Sequence, residues 1–424
     1  MKPYAIMRAM TDMAAEIKKR LPAGLVKLVR RAVELATERG HSSYLVGGLV
    51  RDLLLRRHNL DVDVVIDGDA VRLAHRLGAE IAARVVGHPR FNTASILGGR
   101  WRVDLATLRS ETYERPGALP TVAPGTIETD LFRRDFTINA MAVELTPEHY
   151  GHLIDLYGGQ RDLEQRLVRV LHERSFIDDA TRIWRAVRYE QRLGFTLETA
   201  TEAWLRRDIP MLDTISGDRI RHELERVLQE AKPETALMRA DELGVLARLH
   251  PGLKGDRWLA RRFAQARRIC RPERPPLPLY LSIFFYRLSL DDAERLGKYL
   301  HLDQYTQSIV TRAIALKWSV EILALGGLRP SAVHYQLRGA DDLAVIANFL
   351  CAESVVARRY IELFLDRLRF MRPELNGDDL MELGVLEGPQ IKKVLQKLLD
   401  ARLNGEINSR EEEVEMVEDW LEGV

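Results

Sequence analysis

The apolar positions of this chain change their period once, and the change divides it in two. Leu25, Leu28, Val29, Val33 and Leu35 recur at near-helical spacing, so Met1–Gly40 is predicted to be helical. Shorter, β-branched runs follow. Ser42–Val46 is predicted as a strand, Val50–Leu55 as a short helix after a Gly-Gly turn, and Asp61–Ile66 as a second strand. Val71–Val85 has the pattern of an amphipathic helix, and Thr93–Leu97 and Trp101–Thr107 of two strands joined at Gly98-Gly99. Strands and helices mixed at this density predict a small α+β head with a mixed sheet, ending near Val170. From Ser175 onward helical periodicity dominates and no alternating run stands out. Two breaks punctuate that region, Arg271–Pro278 and Arg372-Pro373 through Asn376-Gly377. The expected organisation is a helical segment over 1–40, the head over 41–170, and all-helical parts over 171–275, 276–372 and 373–424.

Bulk composition changes this picture little. A hydrophobic content of 46% is ample for packed cores, and 63 Lys+Arg against 62 Asp+Glu names no partner by global charge. Local charge says more. Around Lys254, Arg257, Arg261, Arg262, Arg267, Arg268, Arg271 and Arg274 only Asp256 and Glu273 oppose the cations, and Arg358–Arg372 is a second basic stretch. Such clusters suit either a solvated helix face or RNA phosphates. Cys270 and Cys351 are too few for a disulfide framework or a structural zinc site and fit a reducing cytosol. Asp12 and Glu16 precede any signal-like apolar core, and no run approaches the ~20 apolar residues of a membrane span. A soluble, cytoplasmic protein with no membrane partner is expected.

The candidate chemistry begins at Asp61-Val62-Asp63. Strand side chains alternate faces, so the two carboxylates leave the same side. Hard oxygen ligands at that spacing suit Mg2+ bound to a triphosphate. Upstream, Gly47-Gly48 lets backbone amides approach a phosphate, and Arg51 offers a charged fork. Turn, arginine and carboxylate pair together have the character of a nucleotidyl-transfer site, although each alone is usually a turn or a solvated strand end. Asp104 on Trp101–Thr107 is either a third acid from a neighbouring strand or an exposed strand residue.

Two further motifs follow. In Arg133-Arg134-Asp135-Phe136-Thr137-Ile138-Asn139-Ala140, Asp135 precedes an apolar helical stretch and could be its N-cap, while paired arginines before a helix start form a natural phosphate or ribose site. In Asp178-Asp179-Ala180-Thr181-Arg182, continuing through Arg185 and Arg188, Asp179 and Arg182 are expected as i,i+3 neighbours on one helix face. A plain surface ion pair is the bland alternative. Too few acids lie nearby in sequence to pair every arginine, and unpaired guanidinium groups along one face favour a polyanion.

Gly-Gly-x-x-Arg-Asp, Asp-x-Asp, Arg-Arg-Asp-Phe-Thr-x-Asn-Ala and the Asp-x-x-Arg-x-x-Arg helix, in this order, resemble the class II tRNA nucleotidyltransferases. These are the CCA-adding enzymes and related bacterial poly(A) polymerases of the DNA polymerase beta superfamily. The resemblance covers Tyr44–Phe195 and resumes in the tail, from Glu387-Gly388-Pro389 to Asn404-Gly405-Glu406. It implies a head, neck, body and tail, with Asp61 and Asp63 as metal and catalytic ligands and Asp104 as third catalytic acid. It also implies Gly48, Arg51 and Arg134 at the incoming nucleotide, Asp179 and Arg182 as the base-reading pair, and Arg185 and Arg188 as further nucleotide contacts. The base-reading role agrees with elementary chemistry. Cytosine and adenine each present an amino donor beside a ring-nitrogen acceptor, which an ionised Asp and an Arg complement; uracil and guanine reverse that pattern. One such pair admits CTP and ATP without a template. Three departures stand out: Asp178 where Glu is common, Arg56-Arg57 in place of a usual glycine, and no His-Asp dyad of the phosphohydrolase domain found in some relatives.

The implied activity is magnesium-dependent addition of CMP and AMP to the 3′ end of tRNA, at the acceptor stem. Ser110–Thr129, with Pro116-Gly117, Pro120 and Pro124-Gly125, is expected to be a long flexible loop corresponding to the family element that helps the site switch from C to A. Glu111-Thr-Tyr-Glu-Arg-Pro-Gly117 resembles the loop of A-adding relatives, which work with a separate CC-adding enzyme. Complete CCA addition is the leading expectation, followed by A addition alone and poly(A) synthesis. An inactive RNA-binding protein on the same fold is the alternative of a different class.

Overall fold

The computed structural model describes residues 13–88, 91–98 and 101–422. Residues 1–12 of the expected N-terminal helix, and Gly99 of the expected Gly98-Gly99 turn, lie outside the described residues. The chain divides into two compact units, 1–223 and 224–424.

The first unit opens with helices α1 (Met13–Arg20) and α2 (Ala23–Thr37). The second buries Leu25, Leu28, Val29, Ala32, Val33, Leu35 and Ala36, the apolar stripe visible in the sequence. Then come β1 (Ser43–Val46), α3 (Gly48–Leu54), β2 (Asp61–Ile66), α4 (Ala70–Glu80), β3 (Arg84–His88), β4 (Thr93–Gly98) and β5 (Trp101–Thr107). They are followed by β6 (Arg109–Thr112), β7 (Thr121–Pro124), α5 (Ile127–Phe132), a 3-10 turn over Thr137–Asn139, β8 (Ala142–Glu144) and β9 (Leu153–Ile154). The described strands form a seven-stranded mixed sheet in the order β3-β4-β5-β2-β1-β8-β9, in which β2 and β5 pair in parallel and every other pair is antiparallel. Helices α6 (Gly159–Gln165), α7 (Ser175–Asp178), α8 (Thr181–Leu193), α9 (Thr199–Asp208) and α10 (Gly217–Leu228) follow, and the last of these runs across the boundary between the units. Strands β10 (Leu167–Val168) and β11 (Thr196–Leu197) make a small parallel pair.

Three expectations need correction. The helix expected over Val71–Val85 stops at Glu80, where Ala82 turns the chain with φ +53°, and Arg84–His88 pairs with β4 as the edge strand β3. Ser110–Thr129 is not a structureless loop. Arg109–Thr112 pairs with Thr121–Pro124 as a hairpin, and Ile127–Phe132 is helical. Neither strand has a buried residue on either face, so no alternation marks them. Finally, the region after Ser175 contains the two-residue strand β11, too short to leave a period.

In the second unit every regular element among the described residues is helical. The helix Leu277–Phe285 is buried on all sides from Pro278 to Phe285, which explains its lack of a polar face. Towards the C-terminus a separate core gathers Leu375, Leu380, Val394, Leu398, Ala401 and Val417. Glu413, fully buried beneath it, accepts the backbone N–H groups of Glu374 and Leu375 and pairs with Arg402. No helix among the described residues is long and apolar enough to cross a membrane.

Candidate active site

Asp61 and Asp63 lie on one face of β2, Asp61 exposed and Asp63 half-buried. The parallel register sets Asp63 opposite Asp104 and Asp61 opposite Arg102 on β5, while β4 brings Ser95 opposite Asp104 from the other side. Burial pushes the Asp63 carboxyl up to about 6, and although Arg134 pulls it down, Asp104 and Asp61 push it further up. A carboxylate that ionises reluctantly beside two others is stabilised by a divalent cation. Asp104 is already engaged, since one of its oxygens accepts both Ser95 Oγ at 2.5 Å and Arg102 Nε at 2.8 Å. Among the described residues no three potential ligands group closely enough to share an ion. The protein offers the Asp61–Asp63 pair, two hard oxygen donors of the kind a divalent cation takes.

Behind the carboxylates, Gly47 adopts φ +72°, and a Cβ there would stand 2.8 Å from Arg134 Nη1 and 3.5 Å from Asp63 Oδ2. The backbone conformation favours glycine here, and a Cβ would in addition displace the end of Arg134. Gly48 begins α3, and Arg51 on that helix is buried. Its Nε and Nη2 hold the Asp52 carboxylate, each at 2.9 Å, and its Nη1 bonds Asn139 Oδ1 at 2.6 Å, so part of the fork expected for the nucleotide is spent internally.

The second motif is not a capped α-helix. Asp135 is buried ahead of the 3-10 turn and accepts Phe136 N at 2.8 Å and Asn139 Nδ2 at 2.9 Å. Burial alone would raise the Asp135 carboxyl, but the charge of Arg185 and the bonds from Asn139 and Arg185 bring it down to about 2. Arg133 and Arg134 share Asp130, at 2.7 and 2.9 Å, and Arg133 also reaches Glu111 on β6 at 3.0 Å.

The third motif departs further from expectation. Helix α7 ends at Asp178, and Asp179 is extended at φ −140°, so Asp179 and Arg182 are not i,i+3 neighbours on one helix. Asp179 accepts Thr181 N and Oγ1 at 3.0 and 2.7 Å and pairs with Arg219 at 2.7 Å. Arg182 donates to Ser175 Oγ and to the Arg133 carbonyl, both at 2.7 Å. The shortage of acids read from the neighbouring sequence is also corrected. Asp135 pairs with Arg185, and Glu223 lies 3.9 Å from Arg185 and 3.8 Å from Arg188. Distant acids supply the charge.

Gly48, Arg51, Asp61, Asp63, Arg134, Asp179, Arg182 and Arg185 line one open cavity of about 420 Å³. Asp104 lines a neighbouring hollow that shares Asp63, Arg133 and Arg134, and Arg188 lies outside both linings. Sequence reasoning missed Asn139, Tyr113 and Tyr189 in the cavity wall, and Arg219 behind it. Tyr189 could have been found from its helical spacing to Arg185. Its ring lies 5.1 Å from the Arg51 and Arg188 guanidinium carbons and 5.7 Å from that of Arg185.

The two basic stretches lie in the second unit. Arg267 pairs with Glu234, Arg274 bonds the Gln229 carbonyl and Arg369 pairs with Asp342, whereas Arg257, Arg261 and Arg268 are exposed on one face of the helix Arg257–Ile269.

Residues 43–169 match the family described as the poly A polymerase head domain, and 194–256 match the probable RNA and SrmB-binding site of polymerase A. The A-adding tRNA nucleotidyltransferase of Geobacter sulfurreducens is 35% identical over 94% of this chain and 47% of its own length, so the chain spans about half of that relative. The CC-adding tRNA nucleotidyltransferase of Deinococcus radiodurans is 33% identical over 87% of each chain. Among solved structures, the Thermotoga maritima CCA-adding enzyme complexed with tRNA_CCA superimposes with a TM-score of 0.79 at 30% identity, covering 98% of this chain and all of that one.

Proposed function

We propose template-independent nucleotidyl transfer to the 3′ end of tRNA for this chain, which belongs to the tRNA nucleotidyltransferase family. One observation carries the proposal: a single cavity brings together the carboxylate pair Asp61–Asp63 and the two polar side chains Asp179 and Arg182. The first can hold the cation of a nucleoside triphosphate, and the second can complement a cytosine or adenine edge.

In the reaction the terminal 3′-hydroxyl of the RNA gives up its proton to water, its oxygen bonds to the α-phosphorus, the bond to the bridging oxygen breaks, and pyrophosphate leaves. Magnesium on Asp61 and Asp63 would supply charge stabilisation to the phosphates. Arg134, beside the Gly47 turn, would meet the phosphates, and Arg51 and Arg185 add positive charge to the cavity wall. The side chains of Asp179 and Arg182 are each held by other partners rather than by one another. Their fixed positions favour a rigid base edge over a pair that collapses on itself. Arg257, Arg261 and Arg268 are candidates for RNA phosphate contacts.

Complete CCA addition from CTP and ATP is the first reading, because the Asp179–Arg182 chemistry accepts both bases. A addition alone, with a separate CC-adding enzyme, is the second. It is favoured by the Glu111–Gly117 sequence and by the A-adding activity named for the Geobacter relative. tRNA transcripts ending at the discriminator base, at the second C or at the full CCA, each given CTP, ATP or both with Mg2+, separate the readings at single-nucleotide resolution. Growth from the discriminator base to CCA supports the first. Extension of only the CC-ended transcript, by one A, supports the second, and no extension of any transcript overturns both.

A further inference from the structure

The acidic face of the sheet carries a cation with no part in the nucleotide chemistry above. Arg102 stands opposite Asp61 in the parallel β2–β5 register and two residues before Asp104. Its side chain therefore leaves the sheet on the same face as Asp61, Asp63 and Asp104. Its Nε bonds Asp104 Oδ1 at 2.8 Å, and the same oxygen accepts Ser95 Oγ. The charges of Asp104, Asp61 and Asp63 all act on Arg102, in that order of strength. The Arg102 side chain is nevertheless 54% exposed and that of Asp104 29%. Exposed pairs of this kind are weak and screened by salt, so this one is easily given up.

Two features of the face follow from this contact. Asp104 is directed towards Ser95 and Arg102, and it does not join Asp61 and Asp63 as a third ligand in a common cluster. Arg102 also adds to the positive charge that Arg134 brings to Asp63 from the Gly47 side. A divalent cation and a guanidinium compete for the same carboxylates and repel each other once both are close.

We propose that Arg102 is the resident counter-ion of this face, holding Asp104 in the metal-free protein and releasing it when a divalent cation binds Asp61 and Asp63. The third carboxylate then becomes available only with the cation in place. This rests on the reading of Asp61 and Asp63 as cation ligands. Its consequence runs opposite to that of a supporting residue: loss of Arg102 strengthens cation binding, whereas loss of a residue that props up the site weakens it.

The test is a Mn2+ titration of the full chain without nucleotide, at low ionic strength, with free Mn2+ read by electron paramagnetic resonance. Wild type, Arg102→Gln, Asp63→Asn and Arg84→Gln are compared, with thermal melts to establish that each is folded. Arg84 is exposed on the edge strand β3, on the same face but two strands beyond β5, and gives the same change of charge farther from the carboxylates. Arg102→Gln is expected to bind Mn2+ roughly three- to tenfold more tightly than wild type, and Arg84→Gln to stay within about twofold. Unchanged or weaker binding by Arg102→Gln, or equal tightening by Arg84→Gln, overturns the proposal. Binding that Asp63→Asn leaves intact overturns the carboxylate-pair reading itself, and the counter-ion proposal falls with it.

Discussion

Arg185 on α8 donates from Nε and Nη2 to one oxygen of Asp135, fifty residues earlier in the chain, at 2.9 and 2.5 Å. The pair joins the motif after α5 to the helix that carries the third motif, and so fixes two walls of the cavity. Removing one partner strands a buried charge. Arg185→Leu is expected to cost about 3–5 kcal/mol of stability at neutral pH, read by chemical denaturation. The pH dependence follows from the depressed Asp135 carboxyl, at about 2 against an ordinary 3.8. A depressed acid contributes stability above its unfolded value and loses it as pH falls towards its folded one. The advantage of wild type over Asp135→Asn, on the order of 2 kcal/mol, is therefore present above about pH 4 and fades towards pH 2.

Asp63 has the opposite sign. Its carboxyl is raised from 3.8 to about 6, so ionising it costs the metal-free fold stability as pH rises through that range. Asp63→Asn is expected to be more stable than wild type at pH 8 in EDTA, by on the order of 2 kcal/mol, and no more stable at pH 4. Melting curves at the two pH values check this. A residue retained at a cost to the fold is characteristic of a functional position.

Base selection is expected to depend on Asp179. Asp179→Ala removes the acceptor for the exocyclic amino group while leaving Asp61 and Asp63 in place. The preference for CTP over UTP should fall roughly tenfold or more, with Mn2+ binding unchanged. An unaltered preference for CTP would sink the assignment.

The carboxylate pair was legible in the sequence because strand alternation is local: Asp61 and Asp63 share a face whatever the rest of the chain does. The mixed sheet followed by helices was legible for the same reason, through a change of period. What the sequence hid is non-local. Val71–Val85 keeps an apolar pattern across the junction of α4 and β3, and only pairing with β4 and the left-handed turn at Ala82 separate them. The hairpin over Arg109–Pro124 has no buried face to mark it. Arg185 looked unpaired because Asp135 and Glu223 lie far away along the chain. Asp179 and Arg182 have helical spacing, but the backbone is extended at Asp179 and Arg219 takes the partner's place.

RNA binding is expected to be salt-sensitive through the exposed Arg257, Arg261 and Arg268. If each contacts one phosphate, changing all three to Gln reduces the slope of log K against log salt by about 2–3. Filter binding of tRNA at several salt concentrations measures it, and an unchanged slope places the contacts elsewhere.

Incorporation of labelled AMP into a CC-ended tRNA, comparing wild type with Asp61→Asn and Asp63→Asn in Mg2+ and in EDTA, reads the carboxylate chemistry itself. Wild type is expected to add AMP in Mg2+ only, with a loss of roughly a thousandfold or more in either variant, the scale of several kcal/mol of charge stabilisation. Addition that persists in EDTA, or that survives in both folded variants, would contradict that chemistry.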